Sequence, residues 1–186
     1  MARIVLGVTG ASGTRLALET ARALSTHVDV HTVVSDGARA VMTHESDGTT
    51  EPMDQLRSAS VEVYNESAYG AAIASGTFET EGMVVVPCSM NTVAKIASGL
   101  SGTVLTRAVD VTLKEDRPLV VVPRESPLSE IHLENLHEVA TRGATVVPPM
   151  LGFYYDPEDI DDVVDQIVGK ILDRFDLPAD GYDRWE

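Results

Sequence analysis

Five short runs rich in Val, Ile and Leu recur along the chain: RIVLGV (3–8), THVDVHTVVS (26–35), GMVVVP (82–87), RPLVVVP (117–123) and GATVVPP (143–149). Residues 14–25, 36–44, 89–98, 103–115, 129–142 and 159–175 carry helical spacing of apolar positions between and after them. Parallel strands need a long crossover between them, and a helix supplies it, so this alternation predicts a parallel sheet. The runs are almost continuously apolar rather than alternating, which is the pattern of strands covered on both faces. The expectation is one α/β domain over residues 1–186, doubly wound, with a mostly parallel sheet and helices on both faces. Residues 45–60 are polar and broken and read as a loop. The tail from residue 176, DLPADGYDRWE, is polar apart from Trp185 and is expected to pack on a neighbouring subunit.

Charge narrows the partners. The 186 residues include 29 acidic ones, only three lysines (Lys95, Lys114, Lys170) and a formal net charge of -15. Such a surface repels phosphate backbones, so nucleic acid is not an expected partner. It suits solvation at high salt, where screening relieves self-repulsion, and the composition reads as halophilic. No apolar run approaches the ~20 residues of a membrane span. A strand pattern directly after Met1 and a single cysteine, Cys88, fit a cytoplasmic protein.

An open parallel sheet binds ligands outside the carboxyl ends of its strands. The segments there are TGASGT (9–14), SDGA (35–38), CSMNT (88–92), RESP (124–127) and PPMLGFYY (148–155). Gly10 and Gly13 flank Ala11 and Ser12 at a strand-to-helix turn, where backbone N–H groups and a hydroxyl can face an anion. Ser35 and Ser89 follow their strands at corresponding places, each readable as a helix N-cap or as a ligand wall. Arg107 and Lys114 lie seven residues apart on one helix, about 20° apart in azimuth and roughly 10 Å along the axis. They form one basic stripe that Asp110 and Glu115 are not expected to neutralise. Arg124 and Glu125 follow a strand directly, as an anion site with a proton-transfer group or as a mutual ion pair. Lys170 borders an apolar helical stripe. The five histidines show no metal-ligand spacing, and the acids of DDVVD (161–165) suit a helix N-terminus better than a metal site.

Taken together, GVTGASG, PCSMNT, LTRAVDVTLKE, RPLVVVPRESPLSEIHLENL, GATVVPPMLGFYY and DRW resemble the UbiX-type flavin prenyltransferases over nearly the whole chain. The resemblance implies a flavodoxin-like fold that binds flavin mononucleotide (FMN). It implies transfer of a dimethylallyl group from dimethylallyl phosphate to N5 and C6 of the reduced flavin, for use by a UbiD-type decarboxylase. By matching position it places FMN against Gly10, Ala11, Ser12, Ser35, Ser89, Met90, Asn91, Thr92 and Arg124. It places the donor against Ser12, Arg107, Lys114, Arg124, Tyr154 and Lys170. Glu45 and Glu125 match acids near the reacting centre, with Ser12 and Lys114 beside them, and Trp185 matches a C-terminal tryptophan. No metal is required, because lysine and arginine neutralise the leaving group. A large homo-oligomer is implied, with a dodecamer as the candidate size and sites at subunit contacts. Asp36 and Lys170 depart from the usual pattern, where lysine and arginine are commoner. The rival readings are an FMN-dependent peptidyl-cysteine decarboxylase and a non-catalytic FMN carrier.

Overall fold

The structure is a computed structural model that describes residues 2–46 and 48–182. Six parallel strands form one sheet: β1 (Arg3–Val8), β2 (Asp29–Val34), β3 (Glu62–Asn65), β4 (Gly82–Cys88), β5 (Leu119–Pro123) and β6 (Thr145–Val146). Their order is β3-β2-β1-β4-β5-β6. Without the short edge strand β3 this is the flavodoxin arrangement, and the direction of winding reverses between β1 and β4. Register is tight there, with Ile4 opposite Gly82 and Gly7 opposite Val85.

Period-2 alternation sorts the strand residues into two cores. Ile4, Leu6 and Val8 of β1, with Val84 and Val86 of β4 and Val120 and Val122 of β5, face one side. That side is covered by α1 (Thr14–Ser25), α2 (Asp36–Glu45), α3 (Pro52–Ala59) and α7 (Ile160–Leu172). Val5, Met83, Val85, Cys88, Leu119 and Val121 face the other, under α4 (Met90–Ala97), α5 (Val104–Lys114) and α6 (Glu130–Thr141).

Two elements correct the sequence reading. Within residues 45–60, read as a loop, Pro52 starts α3, a helix whose buried stripe is only Pro52 and Leu56. The edge strand β3 buries only Tyr64, so no apolar run announces it. The last expected strand shrinks to Thr145–Val146, with one further ladder bond from the Val147 N–H to the Val121 carbonyl at 2.8 Å. Pro148 and Pro149 have no N–H to extend it. In the tail, Leu177 and Ala179 pack against the α1/α7 core, and Tyr182 covers Gly169. Trp185 lies outside the described residues. No described helix is long and apolar enough to cross a membrane.

Candidate active site

The carboxyl ends of β1 and β2 meet at two glycines. A Cβ on Gly10 would stand 2.9 Å from the Gly37 carbonyl carbon, so the two loops touch backbone to backbone and only glycine fits. Beyond Gly10 the chain turns through Gly13, whose φ of 131° is costly for any side chain, and enters α1. Two amides at the entrance of this helix are already occupied. Glu45, at the end of α2, accepts from the Thr14 N–H at 2.8 Å and from the Gly13 N–H at 3.1 Å. Burial raises its pKa, but the Ser12 and Thr14 hydroxyls and these amides outweigh it and hold the carboxyl at about 2. The anion faced by the Ser12 hydroxyl and the α1 amides is therefore a carboxylate of the same chain. Glu45 and Ser12, far apart in sequence, form one hydrogen-bonded unit.

Ser35 and Ser89 both cap helices: Ser35 Oγ accepts from the Ala38 N–H at 3.0 Å, and Ser89 Oγ from the Thr92 N–H at 3.3 Å. Ser35 sits 3.8 Å from where a Gly37 Cβ would be, which puts its hydroxyl beside the Gly10 turn. At the α2 entrance the Asp36 N–H is taken by Glu66 at 2.9 Å. A residue that sequence reasoning passed over ties the winding reversal together. Thr9, 2% exposed, donates its hydroxyl to the Pro87 carbonyl at 2.9 Å and accepts from the Ser89 N–H at 2.7 Å. This clamps the β1 and β4 exits and fixes the start of α4, whose first residues are Met90, Asn91 and Thr92.

Two clefts share Pro148 and Met150 as common wall. One, of about 370 Å³, is lined by Arg124, Glu125, Ser126 and Leu128. Arg124 is anchored by its backbone N–H to the Cys88 carbonyl at 3.0 Å, and Glu125 accepts from the Ser126 N–H at 2.9 Å. Among the described residues these two side chains make no ion pair with each other, so the structural-pair reading of them is not met. The second cleft, of about 430 Å³, brings Tyr154 and Lys170 together with Gln166, Arg174 and Tyr182. Buried Gln166 donates to the Tyr154 hydroxyl at 2.9 Å, and the Lys170 ammonium stands 5.6 Å from the Tyr182 ring centre. Gln166, Lys170 and Arg174 succeed one another at intervals of four, a spacing that the apolar stripe beside them obscures.

Arg107 and Lys114 stand elsewhere. They line up on one side of α5 as the spacing requires, but against the 72–76 segment. The Arg107 Nε donates to the Ala74 carbonyl at 3.3 Å, and the Lys114 ammonium lies beside Gly76. Nor is the stripe uncompensated: Arg107 pairs with Asp110 and Lys114 with Glu115. The expectation that these acids stand aside is corrected, because one helical turn or one residue brings each within reach. Within one chain these two cations do not join the clefts of Arg124 and Tyr154.

Among the described residues no group of three or more His, Cys, Asp or Glu side chains could hold a metal ion. Of the DDVVD acids, Asp161 and Asp162 stand in the first turn of α7, which Asp159 caps. Asp159 accepts from the Asp161 N–H at 2.7 Å and the Asp162 N–H at 3.2 Å, and Asp161 pairs with Arg15.

Comparison with known proteins agrees with this geometry. The flavoprotein family profile matches residues 1–172. The chain is 46% identical to the flavin prenyltransferase LpdB of Lactiplantibacillus plantarum, covering 100% of this chain and 99% of that protein. Its fold superposes on AnUbiX (PadA1), solved in complex with FMN and dimethylallyl pyrophosphate, with a TM-score of 0.94, 43% identity, and coverage of 100% and 97%. It also matches a dodecameric FMN-dependent UbiX-like decarboxylase of Escherichia coli O157:H7, with a TM-score of 0.93, 39% identity and 99% coverage of each chain. The reversal of winding between β1 and β4, the cations lining two adjoining clefts and these full-length likenesses lead to one assignment: the chain belongs to the flavoprotein family and, within it, to the UbiX-type flavin prenyltransferases.

Proposed function

We propose that this chain joins the dimethylallyl group of dimethylallyl phosphate to N5 and C6 of reduced FMN. The allylic C–O bond breaks with its electron pair on the phosphate, and bonds form to N5 and C6. Of the two protons these atoms release, one goes to the former alkene and one to the phosphate, so no net oxidation occurs. The observation that carries this reading is the cation placement. In a chain with 29 acidic residues, Arg124 and Lys170 face adjoining clefts, and among the described residues neither is ion-paired.

The crevice suits FMN. The Gly10–Gly37 contact leaves no side chain between the loops, so a flat ring can approach backbone there. Glu45 occupies the α1 amides, which directs the FMN phosphate to the Ser89–Thr92 turn, where the α4 dipole favours an anion. Ala11, Ser12 and Ser35 complete the near wall, and Arg124 closes it. FMN supplies the nucleophilic ring. Glu45, held ionised, orients Ser12. Glu125, not ion-paired to Arg124, accepts a proton as general base. Fixed cations at the phosphate stabilise the charge that builds there, and the Tyr154 ring offers its face to the electron-poor allyl group.

Arg107 and Lys114 we assign to the site of a neighbouring copy in a homo-oligomer. Met150, Leu151 and Phe153, at 72%, 67% and 79% exposure, are apolar surface that a second copy would cover. The dodecameric Escherichia coli relative supports such an assembly. The product goes to a UbiD-type decarboxylase in the cytoplasm, where the buried thiol of Cys88 stays reduced. The test is anaerobic mixing of purified protein with reduced FMN and dimethylallyl phosphate. Donor-dependent spectral change with stoichiometric phosphate release supports the reading, and an unchanged flavin spectrum overturns it.

A further inference from the structure

Residues 66–81 run from the end of β3 to the start of β4 without joining the sheet, and of them only Ile73 is buried. Carbonyls outside a sheet need other partners, and arginines supply them here. Arg117 donates to the Gly76 carbonyl at 2.8 Å, to the Phe78 carbonyl at 2.9 Å and to the Thr80 hydroxyl at 3.3 Å. Arg3 donates to the Glu79 carbonyl at 3.3 Å, with its guanidinium over the Phe78 ring. Although the chain carries 29 acidic residues, neither Arg3 nor Arg117 forms an ion pair among the described residues. Their charge is committed to this segment.

The same segment carries the α5 cations. Arg107 rests on the Ala74 carbonyl through Nε and on Asp110 through Nη1, which leaves Nη2 clear. Lys114 and its partner Glu115 lie on Gly76, where an added Cβ would stand 2.7 Å from the Lys114 ammonium nitrogen. Only a bare backbone admits that pair. After α5 the chain turns through Asp116, with φ at 53°, and the Arg117 N–H returns to the Thr112 carbonyl at 3.0 Å. Arg117 thus joins the end of α5 to the turn lying against the side of that helix.

We propose that Arg117 and Gly76 are positioning residues for prenyl transfer: the 74–76 turn is a seat that holds Arg107 and Lys114 ready for the donor phosphate. A long cationic side chain gives up rotamer freedom when it meets an anion. A seat that fixes it beforehand removes that loss from the binding step. In this role Arg117 and Gly76 act through Arg107 and Lys114 and not on the donor.

This inference rests on the assignment of Arg107 and Lys114 to the donor site, and the experiment separates the two. Calorimetry measures inorganic phosphate on FMN-saturated protein, without turnover, for the native chain, Arg117→Met and Gly76→Ala. The Gly76 methyl first meets the flexible ends of Lys114 and Glu115, so this variant keeps the fold if Arg117→Met does not. Both variants are expected to bind phosphate roughly three- to tenfold more weakly, and Arg117→Lys to recover part of the loss. The donor KM is expected to rise by the same factor, with kcat and FMN affinity unchanged. In a Lys114→Met background, Gly76→Ala is expected to have no further effect. Unchanged phosphate binding and donor KM in both variants overturns the positioning role and leaves prenyl transfer standing. So does a Gly76→Ala loss that is as large without Lys114 as with it. Phosphate binding as tight in Lys114→Met as in the native chain removes Lys114 from the donor site, and this inference with it. A flavin spectrum that no donor changes, with the phosphate losses as expected, overturns the prenyltransferase reading and leaves the seat standing.

Discussion

Replacing Glu45 by Gln tests the claim that a carboxylate of the chain itself fills the α1 N-terminus. The native side chain accepts from the Gly13 and Thr14 amides and from the Ser12 and Thr14 hydroxyls, and its pKa falls from 4.5 to about 2. At about 1.4 kcal/mol per pH unit the shift corresponds to roughly 3 kcal/mol. Glu45 is exposed, so solvent screening reduces the expected effect to about 1–2 kcal/mol. For a chain of this size that is a fall in Tm of about 2–8 °C. The sign over pH follows from the depressed pKa. Ionised Glu45 stabilises the folded state fully above pH 4.5, and the contribution is lost as pH falls from 4.5 to about 2. Urea unfolding of both proteins at pH 7 and through the acid range is the assay. A difference of 1–2 kcal/mol at pH 7 that closes toward pH 2 is expected. A gap of equal size at every pH would mean that Gln disturbs packing and that the charge does nothing.

His31 lies buried between Tyr64 and Phe78, and its pKa is lowered by burial and by Arg3, with Glu62 and Asp29 opposing. The folded state prefers it neutral, so stability should decline as pH falls below 6.5, and His31→Gln should flatten that limb of the pH–stability curve. Gly10→Ala puts a methyl 2.9 Å from Gly37 backbone. A loss of about 1–3 kcal/mol in unfolding free energy and weaker FMN retention on a desalting column are expected, whereas an unchanged protein would contradict the close approach. Glu125→Gln should keep FMN and donor bound while slowing single-turnover product formation about 10²–10⁴-fold. A normal rate per bound flavin removes Glu125 from proton transfer. Exhaustive chelation should leave turnover intact, and a loss restored by magnesium would contradict the all-protein phosphate site.

The central sheet was legible because four of its strands are buried on both faces, so valine runs and helical spacing announced β1, β2, β4 and β5 and the helices between them. Where burial is one-sided the signal fades. Tyr64 alone anchors β3, and Pro52 and Leu56 alone anchor α3, so neither makes a pattern. The residues at the strand ends were legible as a set, since an open parallel sheet puts its chemistry there. Their partners were not. Glu45 reaches Thr14 across 31 residues, and Thr9 reaches Ser89 across 80, contacts that only the folded crevice creates. The stripe of Arg107 and Lys114 was read correctly in direction and wrongly in charge, because acids one and three residues away reach them on the helix surface.

The central claim is that this crevice forms new bonds to a flavin rather than merely holding one. The most direct measurement is NMR of the flavin isolated after anaerobic, metal-free incubation of the protein with reduced FMN and dimethylallyl phosphate. The account predicts a flavin enlarged by one five-carbon unit, with new bonds at both N5 and C6 and a fourth ring. Recovery of unmodified FMN from a protein that binds both flavin and donor would contradict it.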